Sequence, residues 1–170
     1  MTHTISILVD NHFGVLSRIS GLFSARGYNI ESLCVGVTED PATSRMTVVV
    51  QGDDTILEQI INQLNKVIEV IEVTDLTAES HVERELVLVK ISTSAKQRTE
   101  LLEIANIFRA KVVDVAPKST IVEATGSTDK IRAFIDMIRP FGIQELSRTG
   151  TIALVRALNG TNSTPAKKKK

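Results

Sequence analysis

Two hydrophobic periodicities alternate along this chain, and their order restricts its fold more than any other feature. Residues 4–9 partly alternate, with Ile5, Ile7 and Val9 on one face, which is typical of a strand with one buried face. From Val15 to Phe23 they recur at helical spacing, which predicts a helix with one apolar stripe. Extended to residue 76, this reasoning predicts strands at residues 4–9, 29–38, 46–50 and 67–73, with helices after Gly14 and Gly52.

The same order of elements returns after a polar segment at residues 77–84, which is predicted to be a linker. The second half repeats the order with a strand at residues 85–91, a helix over residues 101–108, a hairpin around residues 117–119, a helix beginning near Ser127, and one or two strands within residues 143–158. Each helix has one apolar face, so both helices of a half pack on the same side of an antiparallel sheet. The sequence therefore predicts an α+β protein of two ferredoxin-like βαββαβ domains, at residues 1–76 and 85–158.

The charge of the chain is unevenly distributed. Residues 159–170 are rich in Thr, Asn, Ser and Lys and have no apolar face, which predicts a disordered tail. The whole chain has 20 Lys+Arg and 20 Asp+Glu, and four of those lysines are Lys167 to Lys170. The rest of the chain is therefore acidic, and its aromatic residues are five Phe and one Tyr. Both properties argue against a nucleic-acid partner, which calls for a basic face and stacking platforms.

Cysteine and histidine content restricts the compartment and the chemistry. The single cysteine, Cys34, excludes an internal disulfide and is typical of a reducing compartment. No apolar run approaches the roughly 18 residues of a membrane span, and the N-terminus lacks the basic region of a signal peptide. We therefore expect a cytoplasmic protein without membrane association. The 3 scattered histidines and one cysteine do not predict a metal site.

The segment at residues 10–16 joins the first strand to the first helix and is the strongest candidate for a binding site. A helix N-terminus offers free N–H groups and the positive end of a dipole to an anion. The Asn11 side-chain carbonyl can accept from an ammonium group, and Gly14 lets the backbone approach a ligand. The Val15 and Leu16 amides can donate to a carboxylate, so the segment suits a free α-amino acid. A turn followed by a helix start explains the same residues equally well, and spacing leaves both interpretations open.

Common enzyme motifs are absent from the sequence, including a glycine-rich phosphate loop, a nucleophile elbow, a His-Glu-x-x-His pair and a Cys-x-x-Cys pair. An acylphosphatase-like hydrolase on the same scaffold is still an alternative, because a fold does not determine a function. Such a hydrolase needs an arginine in its phosphate-binding loop, whereas the first Lys or Arg of this chain is Arg18. RNA binding on the open sheet face would need aromatic residues that the central strands lack.

Residues 7–19 (Ile-Leu-Val-Asp-Asn-His-Phe-Gly-Val-Leu-Ser-Arg-Ile) and residues 23–33 resemble an ACT domain. More narrowly, they are similar to the small, regulatory subunits of acetohydroxyacid synthase (acetolactate synthase). The second half of the chain resembles the C-terminal domain of those subunits, and the similar segments are residues 84–86, 108–115, 123–126 and 140–150. The ACT portion alone is typical of many small-molecule sensors, but both halves in uninterrupted order are specific to this family.

The resemblance implies a regulatory chain without catalytic activity of its own. It would bind the catalytic large subunit, raise its activity and confer feedback inhibition by valine or another branched-chain amino acid. Its pathway would be valine, leucine and isoleucine biosynthesis. Thiamine diphosphate, Mg²⁺ and FAD would belong to the catalytic partner, and this chain would hold no cofactor. A stand-alone ACT sensor is the alternative within the same resemblance.

The resemblance also implies a homodimer with an effector site at its seam. ACT domains of this type pair edge to edge through the second strand and the first helix, which joins the two sheets. Small residues at positions 32, 34 and 36 of the predicted second strand suit such a close approach. The effector would contact Asn11, Gly14, Val15 and Leu16 of one chain together with Asn29 and Ile30 of the other.

Overall fold

The computed structural model describes residues 1–157, so the predicted tail at residues 159–170 lies outside the described residues. The first unit consists of β1 (Thr2–Asp10), α1 (Val15–Ala25), β2 (Ile30–Val37), β3 (Thr43–Gln51), α2 (Asp54–Leu64) and β4 (Val70–Asp75). Its four strands form an antiparallel sheet in the order β2-β3-β1-β4. Since β1 lies in the interior of this sheet, it is paired along both edges.

The second unit repeats this arrangement. It consists of β5 (His81–Ser92), α3 (Arg98–Ile107), β6 (Lys111–Val115), β7 (Ser119–Gly126), α4 (Thr128–Ile138), a 3₁₀ turn (Arg139–Phe141), β8 (Ile143–Arg148) and β9 (Ile152–Val155). Its main sheet has the order β6-β7-β5-β8, which corresponds strand for strand to the first sheet. The predicted α+β class with two ferredoxin-like units is confirmed. Within the described residues, no helix has the length and apolar character needed to cross a membrane.

Each unit has its own hydrophobic core between its helices and one face of its sheet. The alternation in β1 buries Ile5, Ile7 and Val9 completely, as the sequence pattern predicts. The helices cover this face with the buried side chains Val15, Ile19, Phe23, Leu57, Ile60 and Leu64. A separate cluster around Phe134 and Leu101 fills the second unit. Leu16 of the predicted α1 stripe is 45% exposed, so it is available for contacts outside the core.

The second helix of each unit begins with a side-chain cap. In α2 the Asp53 carboxylate accepts from the Ile56 N–H at 2.9 Å, and in α4 the Ser127 hydroxyl accepts from the Lys130 N–H at 3.4 Å. Such a cap satisfies one of the four amides that every helix leaves unpaired at its start. Both capping residues fall where the sequence predicts a helix to begin.

We expect Asp53→Ala to lower the free energy of unfolding by about 1 kcal/mol, because it removes this cap and a negative charge at the helix start. Urea denaturation followed by circular dichroism measures the change. Ser127→Ala is the matched comparison, and its longer hydrogen bond should make its effect smaller. Equal stability of Asp53→Ala and the unmodified protein would contradict the role of this cap.

The linker predicted at residues 77–84 is wrong in its second half. Residues 81–84 form the first part of β5 and pair antiparallel with β9, from His81 opposite Val155 to Arg84 opposite Ile152. Three of these four residues are polar, so their sequence shows no apolar alternation. They are a strand because β9, about 70 positions later in the chain, supplies the hydrogen-bonding partner.

The β9 strand also brings the second unit onto the open face of the first sheet. Ser6 and Thr47 lie opposite each other on the face turned away from α1 and α2, and each is only 3% exposed. Thr151, just before β9, and Ala153 within it are buried as well. The sheet face that the sequence analysis treats as open is therefore partly covered by the chain's own second unit.

Candidate functional site

Helix α1 differs from α2 and α4 because its start has no side-chain cap and no acidic residue in its first turn. Its N-cap residue is Gly14, with a φ of 89°. The Val15 N–H reaches the His12 carbonyl only at 3.5 Å, and the Leu16 and Ser17 amides have no hydrogen-bond partner within residues 1–157. The start of α1 therefore presents free donors and the positive end of the helix dipole to a ligand.

Asn11, in the loop that leads into α1, forms two hydrogen bonds to the β2–β3 loop. Its side-chain Nδ2 donates to the Pro41 carbonyl at 2.9 Å, and its backbone N–H donates to the Ala42 carbonyl at 2.7 Å. The side-chain oxygen Oδ1 is left as an acceptor without a partner among the described residues. An acceptor beside free amides is the set of groups that an ammonium and a carboxylate on one carbon require.

The remaining two predicted site residues, Asn29 and Ile30, lie at the opposite end of the same sheet. Ile30 stands opposite Val50 of β3, whereas Asp10, just before the α1 loop, stands opposite Thr43. These two β3 positions are seven residues apart, which corresponds to about 23 Å along a strand. Within one chain, the structure does not bring the six predicted residues into one site.

The edge of the first sheet carries unpaired backbone and exposed apolar side chains. Among the described strands, β2 is hydrogen-bonded only to β3. Val35 and Val37 of β2 are 40% and 60% exposed, because the helices do not cover this end of the edge strand. Leu16 of α1 is also exposed. An unprotected strand edge with apolar side chains favours association with another strand.

Two residues near the start of α1 are missed by the sequence prediction. Ser17 adds an amide without a hydrogen-bond partner among the described residues. It could have been predicted, because the first four amides of a helix have no partner within the helix. Phe13 is fully exposed in the loop before the helix, and nothing in the sequence pattern distinguishes it from a packed aromatic residue. Both residues border the position where a ligand of the α1 start would lie.

The charged groups around α1 bear on the hydrolase alternative. The Arg18 guanidinium forms an ion pair at 2.5 Å with Glu69, whose side chain is only 10% exposed. A phosphate-binding role for Arg18 would require breaking this pair and leaving a largely buried carboxylate unpaired. In the part of the chain that the structure describes, no group of three or more His, Cys, Asp or Glu side chains could hold a metal ion.

Comparison with known proteins defines the class of the two units. Residues 5–72 match a family model described as the AHAS small subunit-like ACT domain, and residues 84–157 match one described as the small subunit of acetolactate synthase. The fold and these matches define a protein with an N-terminal ACT domain, the small regulatory module that the sequence resembles.

Relatives of similar length identify the family. A protein of Archaeoglobus fulgidus named probable acetolactate synthase small subunit is 56% identical over 156 residues, which cover 92% of this chain and 98% of that protein. The acetolactate synthase small subunit of Mycobacterium bovis is 49% identical over 159 residues, 94% of this chain and 95% of that one. A crystal structure of the Thermotoga maritima small subunit superposes with a TM-score of 0.84 at 39% identity, covering 92% and 98% of the two chains. This chain belongs to the family of acetolactate synthase small subunits, as the sequence resemblance predicts.

Proposed function

We propose that this chain activates the catalytic large subunit of acetolactate synthase and makes it sensitive to valine or a related branched-chain amino acid. The observation that carries the proposal is the uncapped start of α1 beside the free Oδ1 of Asn11. The relatives support the partner, because a protein named a small subunit implies a large one. The chain would act in the cytoplasm, in the biosynthesis of valine, leucine and isoleucine.

The free amino acid would bind through both of its charged groups. Its carboxylate would accept hydrogen bonds from the Leu16 and Ser17 amides, which have no other partner within residues 1–157. Its ammonium group would donate to Asn11 Oδ1. Each charge-assisted hydrogen bond contributes roughly 1.5–3 kcal/mol. Gly14 leaves open space above the helix start, since a Cβ at this position would have no atom within 4 Å.

A second copy of the chain would complete the site, because of the direction of β2. Two β2 strands that pair antiparallel about a two-fold axis place the start of one strand beside the end of the other. The end of β2, Val37, lies opposite Ser44, which in turn lies opposite Val9 of β1. Val9 leads into the loop that holds Asn11, so the partner's Asn29 and the partner's Ile30 would reach this loop. The exposed valines of β2 would be buried at the same seam.

Catalysis would belong to the large subunit together with its thiamine diphosphate, Mg²⁺ and FAD. The contribution of this chain would be recognition of the effector and a change in its partner. Such a change requires that valine binds the inhibited arrangement of the complex more tightly than the active one, because equal affinity shifts no equilibrium. Seating the effector between two copies provides this dependence, since its affinity varies with how the copies are arranged.

Reconstitution tests the proposed function directly. The purified chain is mixed with the catalytic large subunit from the same organism, and acetolactate formation is measured with and without valine, leucine or isoleucine. We expect a faster rate with the chain present and a lower rate when the effector is added. Failure to change the rate would contradict the proposal. Hydrolysis of an acyl phosphate by the chain alone would favour the hydrolase alternative.

Asn29→Ala should weaken valine binding by about tenfold, because it removes one polar contact from the partner side of the site. Asn29 is exposed in the single chain, so its loss should leave the stability of the fold unchanged. Titration calorimetry of the full chain measures the affinity, and sedimentation measures the dimer. Asn106→Ala, at an exposed position of α3, is the matched control and should bind like the unmodified protein. An unchanged affinity in Asn29→Ala would remove this residue from the site.

A further inference from the structure

The two units enclose a polar cleft of about 1100 Å³. One wall contains the start of β2, including Asn29 and Ile30. The other wall is formed by α4 and by residues 149–151, which connect β8 to β9 and are called the β8–β9 loop below. The cleft therefore places the partner-facing residues of the proposed effector site next to the second unit of their own chain.

The β8–β9 loop is hydrogen-bonded to β2 at Ser32, three positions after Asn29. The Thr151 N–H donates to Ser32 Oγ at 3.0 Å, and Thr151 is only 5% exposed. Ser32 belongs to the small-residue face of β2 that the sequence assigns to the dimer seam. Here this face accommodates a loop of the same chain.

Gly150 brings the backbone of the loop directly against β2. Its φ is 81°, and a Cβ built on it would lie 2.7 Å from Ser32 Oγ and 3.4 Å from the Leu33 carbonyl oxygen. Contacts below 3.0 Å do not occur for real Cβ atoms without a shift of the neighbour. Glycine is therefore favoured here by its positive φ, and a larger residue would displace the Ser32 hydroxyl.

The other side of the β8–β9 loop is attached to β5. The Thr149 N–H donates to the Leu86 carbonyl at 3.0 Å, and the Leu86 N–H donates to Thr149 Oγ1 at 3.1 Å. Immediately before the loop, Arg148 forms a bidentate ion pair with Glu85, which is only 3% exposed. A displacement of the loop would therefore move the end of β8 and the middle of β5, where Glu85 and Leu86 lie.

An irregularity in β2 separates the effector residues from the loop contact. The register against β3 shifts between Ile30 and Ser32, so that Glu31 is the extra residue of a bulge. Bulges change the direction of the side chains beside them and interrupt the regular ladder. The start of β2 can thus adjust to a ligand more easily than a regular strand, and Ser32 lies on the other side of the bulge.

We propose that the contact between Ser32 and the β8–β9 loop couples effector binding at β2 to the second unit, with Ser32 as a positioning residue for feedback inhibition. This proposal rests on the proposed function, because it assumes that Asn29 and Ile30 meet the effector. Effector binding would favour one arrangement of the bulge in β2. Because the β8–β9 loop contacts both β2 and β5, its position would change with the bulge, and the positions of β8 and β5 would change with the loop. Such coupling is a free-energy difference between two arrangements, and it does not require Ser32 to touch the ligand.

Ser32→Ala and Gly150→Ala test the coupling from both sides of the contact. Ser32→Ala removes the acceptor for the Thr151 N–H, and Gly150→Ala pushes the loop away from β2. For each, we expect about a fivefold loss in the ratio of uninhibited to maximally inhibited activity, with calorimetric valine affinity and activation retained. Gly142→Ala is the matched control: its φ is 91°, but its Cβ would meet only Ser92 Cβ at 3.6 Å. It should retain full inhibition.

The double variant Ser32→Ala/Gly150→Ala gives a second, independent readout. Once Ser32 Oγ is removed, the nearest atom to the new Cβ is the Leu33 oxygen at 3.4 Å, and the strain of a side chain at a φ of 81° is left. Gly142→Ala measures such strain separately, at a φ of 91°. Beyond that strain, the second substitution should add little to the first. Additive effects of the two substitutions would overturn a shared contact.

Two further results would overturn the proposal while leaving the proposed function intact. One is full inhibition in both single variants, and the other is loss of activation together with inhibition, which would indicate a general structural role. If the unmodified chain binds no valine, the proposed function fails and the coupling proposal fails with it. Because binding, activation and inhibition are measured separately, these failures are distinguishable.

Discussion

Gly14→Asp should reduce the affinity for valine by between about tenfold and a hundredfold, while activation of the large subunit is retained. A side chain at Gly14 meets no atom of its own chain within 4 Å, although its φ of 89° makes any substitution there locally strained. It would extend into the space that we assign to the effector. The new carboxylate would also place a negative charge beside the proposed position of the effector carboxylate, and the repulsion would weaken binding further. Feedback inhibition should disappear for the same reason.

Calorimetry on the variant and a valine titration of the reconstituted complex measure these effects. Gly142→Asp introduces the same charge at a φ of 91° and in the other unit, so it should leave valine binding unchanged. Gly14→Ala separates the steric contribution from the charge and should have an intermediate effect. Normal inhibition in Gly14→Asp would exclude the start of α1 as the carboxylate site.

Arg148→Met should lower the free energy of unfolding by about 2–3 kcal/mol, because it leaves the buried Glu85 carboxylate without its partner. Both carboxylate oxygens accept from the guanidinium, Oε2 from Nη2 at 2.8 Å and Oε1 from Nε. We expect a smaller loss of stability than for a fully buried ion pair, since the Arg148 side chain is 43% exposed and solvent screens its charge. The hydrogen bond from Arg148 to Glu85 raises the pKa of the guanidinium. A raised pKa contributes stability below the ordinary pKa of the group, so this contribution is present at neutral pH and is lost only in strong alkali.

Urea denaturation of the full chain at neutral pH measures this change. Arg139→Met is the comparison, because its ion pair with Asp136 has side chains 70% and 61% exposed and should contribute less than about 1 kcal/mol. Adding Glu85→Gln to Arg148→Met should restore part of the stability, since no unpaired buried charge is then left. Equal losses in Arg148→Met and Arg139→Met would contradict this assignment.

Much of the fold could be predicted from local patterns. The alternation in β1 identified its buried face, and the capping residues Asp53 and Ser127 indicated where two helices begin. Gly27, which follows the C-cap residue Arg26 of α1, has a φ of 70°, a conformation that glycine adopts easily. These features depend on residues close together in the sequence, which is why periodicity and capping rules detect them.

The candidate site was predictable only in part, because its two halves depend on different levels of structure. The segment from Asn11 to Leu16 follows from a strand, a turn and a helix start, all of them local. The separation of Asn29 from that segment follows from the register of β2 against β3, which pairs Ile30 with Val50. No local pattern indicates that register, so the distance between the two groups of predicted site residues is visible only in the tertiary structure. The second chain that would bridge this distance is part of the proposed function.

By itself, the sequence determined the class of the fold, the order of the elements, which face of each strand is buried, and the loop before α1. Each of these depends on the spacing of residues that are close together in the chain. Only the tertiary structure decided that residues 81–84 are a strand, that β9 covers the open face of the first sheet, and that Gly150 lies against Ser32. Those contacts join residues far apart in the chain. Their stability comes from burial and hydrogen bonds that exist only after both units have folded and packed together.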